Sequence, residues 1–384
     1  MVYGYVYSQP EDVAMGDAQT QESYPYTDFD SLYLPPQFAA DALGISMQTL
    51  KAAEPDLGVD IRRVPRGTVA ARVYTPADIF KIAALRREKG LTKTLSRPIT
   101  VSTFVQKGGT GKTTCSVNLA LSFAFAGYRT LLIDNDPQAD ASSMLGYDPD
   151  LTPAELEEVG VPADRAIDGH FGNLLGVSNM FPPLPLDKVI KKPFGEYGPH
   201  LIPAEESLDD LDVALGAANN SDFRYASHIV KARAGQLPAC DFSGYDVIIF
   251  DNAPSGSLLT RNSMVASDFL VCPIRMDKFS FRALTRLAGK LAAFQEDFQR
   301  SPEIVAIPTM FIKNRPRIMT NLARLSELFP GKVTDSKLFF SEDYSKALED
   351  GVPILAWKAG SDNSLGAMRQ VFAEVLQRIR ETLH

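Results

Sequence analysis

The chain has 384 residues, 45% of them hydrophobic and 22% charged, with a formal net charge of −8. Such a length accommodates two or three structural units around a sizeable core, and the composition excludes wholesale disorder and fibrous architectures. The acidic balance excludes a uniformly basic nucleic-acid coat, so any nucleic-acid contact would be local. Cys115, Cys240 and Cys272 lie far apart and form no CxxC pair, which makes neither a disulfide framework nor a zinc or iron–sulfur site legible; they read as small core residues. No basic segment followed by an apolar stretch opens the chain, and no apolar run approaches the ~18 residues that span a bilayer, so a cytoplasmic protein is expected.

Residues 1–33 are rich in Tyr, Asp, Gln and Pro without a sustained period and read as a loosely ordered or dimer-associated arm. From Leu34, "PPQFAADALGISMQTLKAAEPD" predicts two short helices around Gly44, with Ser46 capping the second. A basic hairpin-like stretch follows, carrying Arg62, Arg63, Arg66 and Arg72, and Thr75-Pro76 opens an amphipathic helix through about Arg87. Helix–glycine–helix is also plain α-hairpin packing. The basic wing and the string "RVYTPADI" resemble the winged helix-turn-helix of MerR-like regulators, and the resemblance makes 34–97 a DNA-binding module. In it Gln48, Thr49 and Lys51 on the second short helix, with Arg62, Arg63, Arg66 and Arg72 on the wing, would face bases or phosphates.

Beyond residue 98 the texture alternates strand and helix. "ITVSTFV", "TLLID", "DVIIFD", "FLVCPI", "VAIPTMFI" and "KLFF" read as buried strands separated by helical segments such as 112–126 and 280–299. The expected fold is α/β: a doubly wound, mostly parallel sheet over 98–384, with the winged helix-turn-helix module in front of it. Residues 147–199 are Pro- and Gly-rich and read as an insertion or a helix with long loops.

The stretch "FVQKGGTGKTT" joins the first of these strands to a helix. Backbone N–H groups of Gly108, Gly109, Thr110 and Gly111 can approach phosphate oxygens, and the helix starting near Lys112 points its positive end at the same spot. Lys112 would neutralise β- and γ-phosphates, and Thr113, followed by Thr114, would offer a hydroxyl to Mg²⁺. The usual GxxxxGK[ST] spelling is broken, because Gln106 stands where its first glycine belongs and Lys107 follows. No [NT]KxD guanine signature is present, so ATP is favoured; Asn314, after a strand, could pair with the adenine edge or be a simple turn residue.

"KGGTGKTT", "LLIDNDPQADAS" and "YDVIIFDNAP" resemble, in this order, the deviant Walker A, DxDPQ and Walker B blocks of the ParA/MinD class of P-loop ATPases. The resemblance implies ATP hydrolysis, with Lys107, Lys112 and Asp136 as the catalytic residues. Lys107 would reach the partner subunit's nucleotide across a two-fold interface, as an arginine finger does. Asp136 would orient the attacking water, Asp134 would hold the Mg²⁺ shell with Thr113, and Asp251 would support the metal through water. Asn252-Ala253-Pro254 departs from the commoner acid followed by Pro-Pro.

The order of parts over 34–384 is similar to that of the larger plasmid partition proteins of the ParA/RepA type. By that likeness the ATP-bound homodimer binds nucleoid DNA non-specifically and segregates plasmid or chromosome copies with a ParB-type centromere-binding protein. It would also regulate its own operon. Lys313, Arg315, Arg317 and Arg324, with Arg369, Arg378 and Arg380 on the last helix, are the candidate non-specific contacts. The amphipathic tail reads as an ordinary terminal helix rather than a membrane anchor. The competing reading is a nucleotide-sensing repressor with no transport role.

Overall fold

The computed structural model describes residues 27–57, 61–66, 69–277 and 281–384. Most of the predicted arm, residues 1–26, and the Arg66 side chain of the predicted wing lie outside what it describes. The three cysteines are buried.

Gly44 adopts a left-handed φ of 63° and stops the first helix, α1 (Pro36–Leu43). The Ser46 side chain accepts from Thr49 N–H and starts α2 (Met47–Ala53), as its sequence position predicts. Strands β1 (Arg63–Arg66) and β2 (Val69–Arg72) form an antiparallel pair in which Arg63 faces Arg72. A Thr75–Asp78 capping box then opens α3 (Pro76–Glu88).

The remaining strands, β3 (Ile99–Thr103), β4 (Thr130–Asn135), β5 (His200–Ile202), β6 (Val247–Asn252), β7 (Phe269–Arg275) and β8 (Glu303–Thr309), build one parallel sheet in the order β5-β4-β6-β3-β7-β8. Every residue of β3, β4 and β6 is buried, which is why β4 and β6 carry apolar runs without alternation, while β3 alternates with the small polar residues Thr100, Ser102 and Thr103. Helix α4 (Lys112–Phe125) follows β3 and is buried almost all round.

Two expectations change. "KLFF" is not a sheet strand: Met310, with φ of 50°, ends β8, and 337–340 is tied on only through single bonds such as Leu338 N–H to Pro308 O (2.9 Å). Within 147–199 lie short helices (Pro153–Glu158, Phe171–Leu175, Leu186–Val189), and just beyond it comes the edge strand β5, whose three residues are too few to show a period.

The N-terminal helices share the core of the sheet domain. Phe80 of α3 stacks on Phe125 of α4 (4.5 Å) and meets Phe194 edge-on (5.6 Å), while Phe29 stacks on Phe194 (4.3 Å). Arg87 reaches Asp246 through a forked pair, one arm at 2.7 Å, and lies over the Tyr128 ring. Gly127 permits this approach, because a Cβ there would stand 2.6 Å from Ala83 O. A core that crosses residue 97 predicts one cooperative unfolding transition. Phe80→Ala is expected to lower stability by about 3–5 kcal/mol while the urea transition stays single; an early separate transition of the N-terminal part would contradict the shared core.

Candidate nucleotide site

Between β3 and α4 the loop turns on left-handed glycines, Gly109 (φ 65°) and Gly111 (φ 85°). Their φ values, not crowding, demand glycine, since a Cβ at Gly111 would meet nothing within 4 Å. Lys107 is half-buried, and its carbonyl lies 3.4 Å from both Thr110 Oγ1 and Lys112 Nζ, so the residue that breaks the usual spelling is also the one on which the loop closes. Arg275, forked onto Asp277, donates to Gly109 O (2.8 Å), and Thr309 donates to Thr110 O (3.2 Å). Both supports come from strand ends far away in sequence, and no motif advertised them.

Lys112 is 7% exposed. Burial lowers its pKa, opposed by the charges of Asp251, Asp136 and Asp140. Asp134 and Asp251 are fully buried and directly paired in register on β4 and β6. Burial raises both carboxyl pKa values, and the charge of Asp251 raises that of Asp134 further. The two acids are nonetheless held differently. Asp134 Oδ2 accepts from Ser142 N–H (2.8 Å) and Ser142 Oγ (2.7 Å), and its Oδ1 accepts from Asp136 N–H (3.3 Å). Its carboxylate is therefore committed to the helix α5 (Asp140–Met144).

Asp251 Oδ1 accepts from Ser116 Oγ (2.7 Å), and Ser116 and the nearby Thr113 hydroxyl oppose the rise in this carboxyl's pKa. Its Oδ2 is buried without any partner. An orphaned carboxylate oxygen beside a threonine hydroxyl and two further carboxylates fits a hard divalent cation. The donors present for such an ion are Thr113 and Asp251, with Asp134 acting on them through charge and position. Asp136, 7% exposed, turns Oδ1 to Gln138 N–H (3.1 Å) at the same strand end.

The departure at Asn252 has a structural account. Its Oδ1 accepts from Asn135 Nδ2 (2.8 Å) and Ser263 Oγ (2.6 Å), and its Nδ2 donates to Thr103 O (3.0 Å). Tyr225 completes the network on Asn135 Oδ1 (2.9 Å). A carboxylate at 252 could not donate to Thr103 O, so the amide ties β3, β4 and β6 together beneath the loop. Ser116, Ser142 and this asparagine pair are the site residues that sequence reasoning missed.

Asn314 is exposed with φ of 60°. A small cavity of about 60 Å³ beside the loop is walled by Thr110, Gly111, Thr114, Thr309, Met310 and Tyr344 among others, and Asn314 is not one of them. The left-handed φ of Asn314 is the geometry of a turn residue, the alternative to pairing with the adenine edge.

Of the predicted DNA-facing residues, Gln48 and Lys51 are exposed, whereas the Thr49 hydroxyl lies 2.9 Å from that of its cap Ser46. Arg62 and Arg63 are exposed, Arg62 bonding Tyr33, and Arg72 pairs with Glu54 (2.9 Å). Lys313, Arg315 and Arg317 are exposed around the start of the helix Pro316–Leu328, and Lys313 lies over the Phe339 ring (4.8 Å). The last-helix arginines correct the expectation. Arg378 binds Glu374, Gly331 O and Val333 O; Arg380 binds Tyr128 and Lys93 O; Arg369 lies over Phe38 near Asp41. Arg378 and Arg380 thereby hold the terminal helix (Ala367–Leu383) onto the body.

Among the described residues no helix is long and apolar enough to cross a membrane. A family model described as AAA domain matches residues 98–304, which covers β3 to the start of β8. The chromosome partitioning protein ParA of Caulobacter vibrioides (strain NA1000 / CB15N) is 27% identical over 277 residues, 71% of this chain and 93% of that protein. Two solved structures share the fold. A "Partition Protein" aligns at TM-score 0.57 and 15% identity, covering 94% of this chain and 93% of its own. A cobyrinic acid a,c-diamide synthase from Mycobacterium smegmatis with bound ATP analog and magnesium aligns at 0.55 and 18%, covering 73% and 95%. With the family match spanning more than half of the chain and the lysine-bearing loop closed at the head of α4, this chain belongs to the AAA domain family, in the ParA/MinD class of P-loop ATPases.

Proposed function

We propose that the chain is a magnesium-dependent partition ATPase: it dimerises on ATP, binds nucleoid DNA without sequence preference, and releases it on hydrolysis stimulated by a ParB-type centromere-binding partner. The observation that carries this reading is the half-buried Lys107 at the crown of the loop, its carbonyl beside Lys112 Nζ. One loop thus holds two cations at a single phosphate cradle, and only the inner one is needed for binding within a protomer. The 27% identity to a chromosome partitioning protein supports the biological role, and the nucleotide and magnesium in the M. smegmatis structure support ATP and Mg²⁺ as cofactors.

In this mechanism the loop N–H groups and Lys112 hold the phosphates, Lys107 is delivered across the two-fold to the partner's nucleotide, and Asp136 orients the attacking water. Bound magnesium would supply charge neutralisation between the phosphates, held by Thr113 and Asp251. The helices and hairpin of residues 34–97 serve as the operator-reading winged helix-turn-helix, through Gln48, Lys51, Arg62 and Arg63. Lys313, Arg315 and Arg317 supply phosphate contacts, and the protein is cytoplasmic and nucleoid-associated.

The test is ATP turnover with and without duplex DNA. Turnover that rises with DNA supports partition, whereas binding to one operator with no turnover would identify a nucleotide-sensing repressor. The Arg315→Ala/Arg317→Ala variant is expected to weaken DNA binding and to reduce the salt slope by about 2, because each arginine neutralises one phosphate. An unchanged slope removes both residues from the interface.

A further inference from the structure

A cleft of about 550 Å³ opens between the α1 turn, α3, the end of α4 and the terminal helix. It lies at the opposite end of α4 from the phosphate loop, roughly 20 Å away at 1.5 Å per residue. Four cationic residues line it, Arg86, Lys93, Arg369 and Arg380, against one carboxylate, Asp41. Among the described residues the side chains of Arg86 and Lys93 pair with no acid. Arg380 bonds only neutral oxygens, Tyr128 Oη (3.0 Å) and Lys93 O (3.1 Å).

Two lining residues are short of partners. Arg369 Nε and Thr92 Oγ1 are buried with no hydrogen bond. The other Arg369 nitrogens are held loosely, Nη1 at 3.6 Å from Asp41 Oδ2 and Nη2 at 3.4 Å from Phe38 O. Burial depresses the Arg369 pKa, with Asp41 opposing. Both orphaned groups can donate, and a guanidinium Nε–H can only donate, so what is missing is an oxygen acceptor. Excess positive charge in the same concavity favours an oxyanion. Leu43, Leu91, Phe125 and Leu376 line the same cleft and give it an apolar side. Its volume falls in the range of small-molecule pockets.

We propose that this cleft binds a small phosphate ester with an apolar body, of the nucleotide type, its phosphate on Arg369 and Thr92 and its charge matched by Arg86, Lys93 and Arg380. Because the walls come from both the N-terminal helices and the ATPase body, occupancy would brace one against the other. The site is independent of the phosphate loop and of the partition reading.

The experiment is calorimetric titration of the full-length Lys112→Ala chain, without magnesium, with ADP and separately with pyrophosphate. One ADP per chain is expected, bound several-fold more tightly than pyrophosphate because only ADP fills the apolar side. Arg369→Gln is expected to weaken ADP roughly tenfold or more, the scale of a charge-assisted hydrogen bond. Arg86→Gln should weaken it a few-fold, and since its guanidinium has no internal ion pair, that variant separates ligand loss from misfolding. Wild type should show the cleft as a second equivalent. No ADP or pyrophosphate binding at millimolar concentration, or affinity indifferent to both substitutions, would show the orphaned donors to be merely hydrated and overturn the proposal. Displacement of ADP by duplex DNA would reassign the cleft to DNA backbone and overturn it equally.

Discussion

Lys112→Ala is expected to abolish magnesium-dependent ATP binding at the loop, lowering affinity by about 10²-fold or more. That magnitude follows from charge-assisted hydrogen bonds to phosphate at roughly 1.5–3 kcal/mol each, with more than one removed. A second effect adds to it. Lys112 is the buried cation opposing Asp136 and Asp251, and without it those carboxylates lose their compensating charge. Titration of fluorescent ATP with and without magnesium, beside a circular-dichroism melt, separates lost binding from lost fold. Near-wild-type magnesium-dependent affinity would mean that backbone N–H groups alone hold the phosphates, and the inner-cation role would fall.

The second large effect belongs to Lys107→Ala. ATP binding should change little, because Lys112 and the loop backbone remain, while turnover falls by about 10³-fold, the low end of what a cation supplied in trans is worth. ATP-dependent dimerisation, followed by light scattering, should disappear with it. The two substitutions are therefore expected to differ in kind: one chain that cannot hold nucleotide, and one that holds it as a monomer. A Lys107→Ala chain that still dimerises on ATP and turns over normally would leave the lysine a purely structural member of the loop, closing it through its carbonyl.

Short-range chemistry made much of this legible in advance. Gly44, Ser46 and the Thr75–Asp78 pair set helix ends because a left-handed φ or a cap acts within a few residues. The apolar runs of β4 and β6 marked sheet strands because strands buried on both faces favour apolar residues at successive positions. The loop announced phosphate binding for the same local reason, its glycines and lysines lying next to one another along the chain.

What the linear pattern could not contain were partners brought together by the sheet register. The resemblance put Asp134 in the magnesium shell and Asp251 behind it through water, yet Ser142 donates twice to Asp134 while one oxygen of Asp251 is bare. Asn252 looked like a departure from a motif until Asn135, on the neighbouring strand, met it. Arg378 and Arg380 looked available for DNA, and the fold ties them to carbonyls and a tyrosine. Residue 97 looked like a boundary, and Phe80 packs across it. In each case the deciding interaction joins residues far apart in sequence, and such pairings follow from sheet register and packing geometry rather than from local propensity.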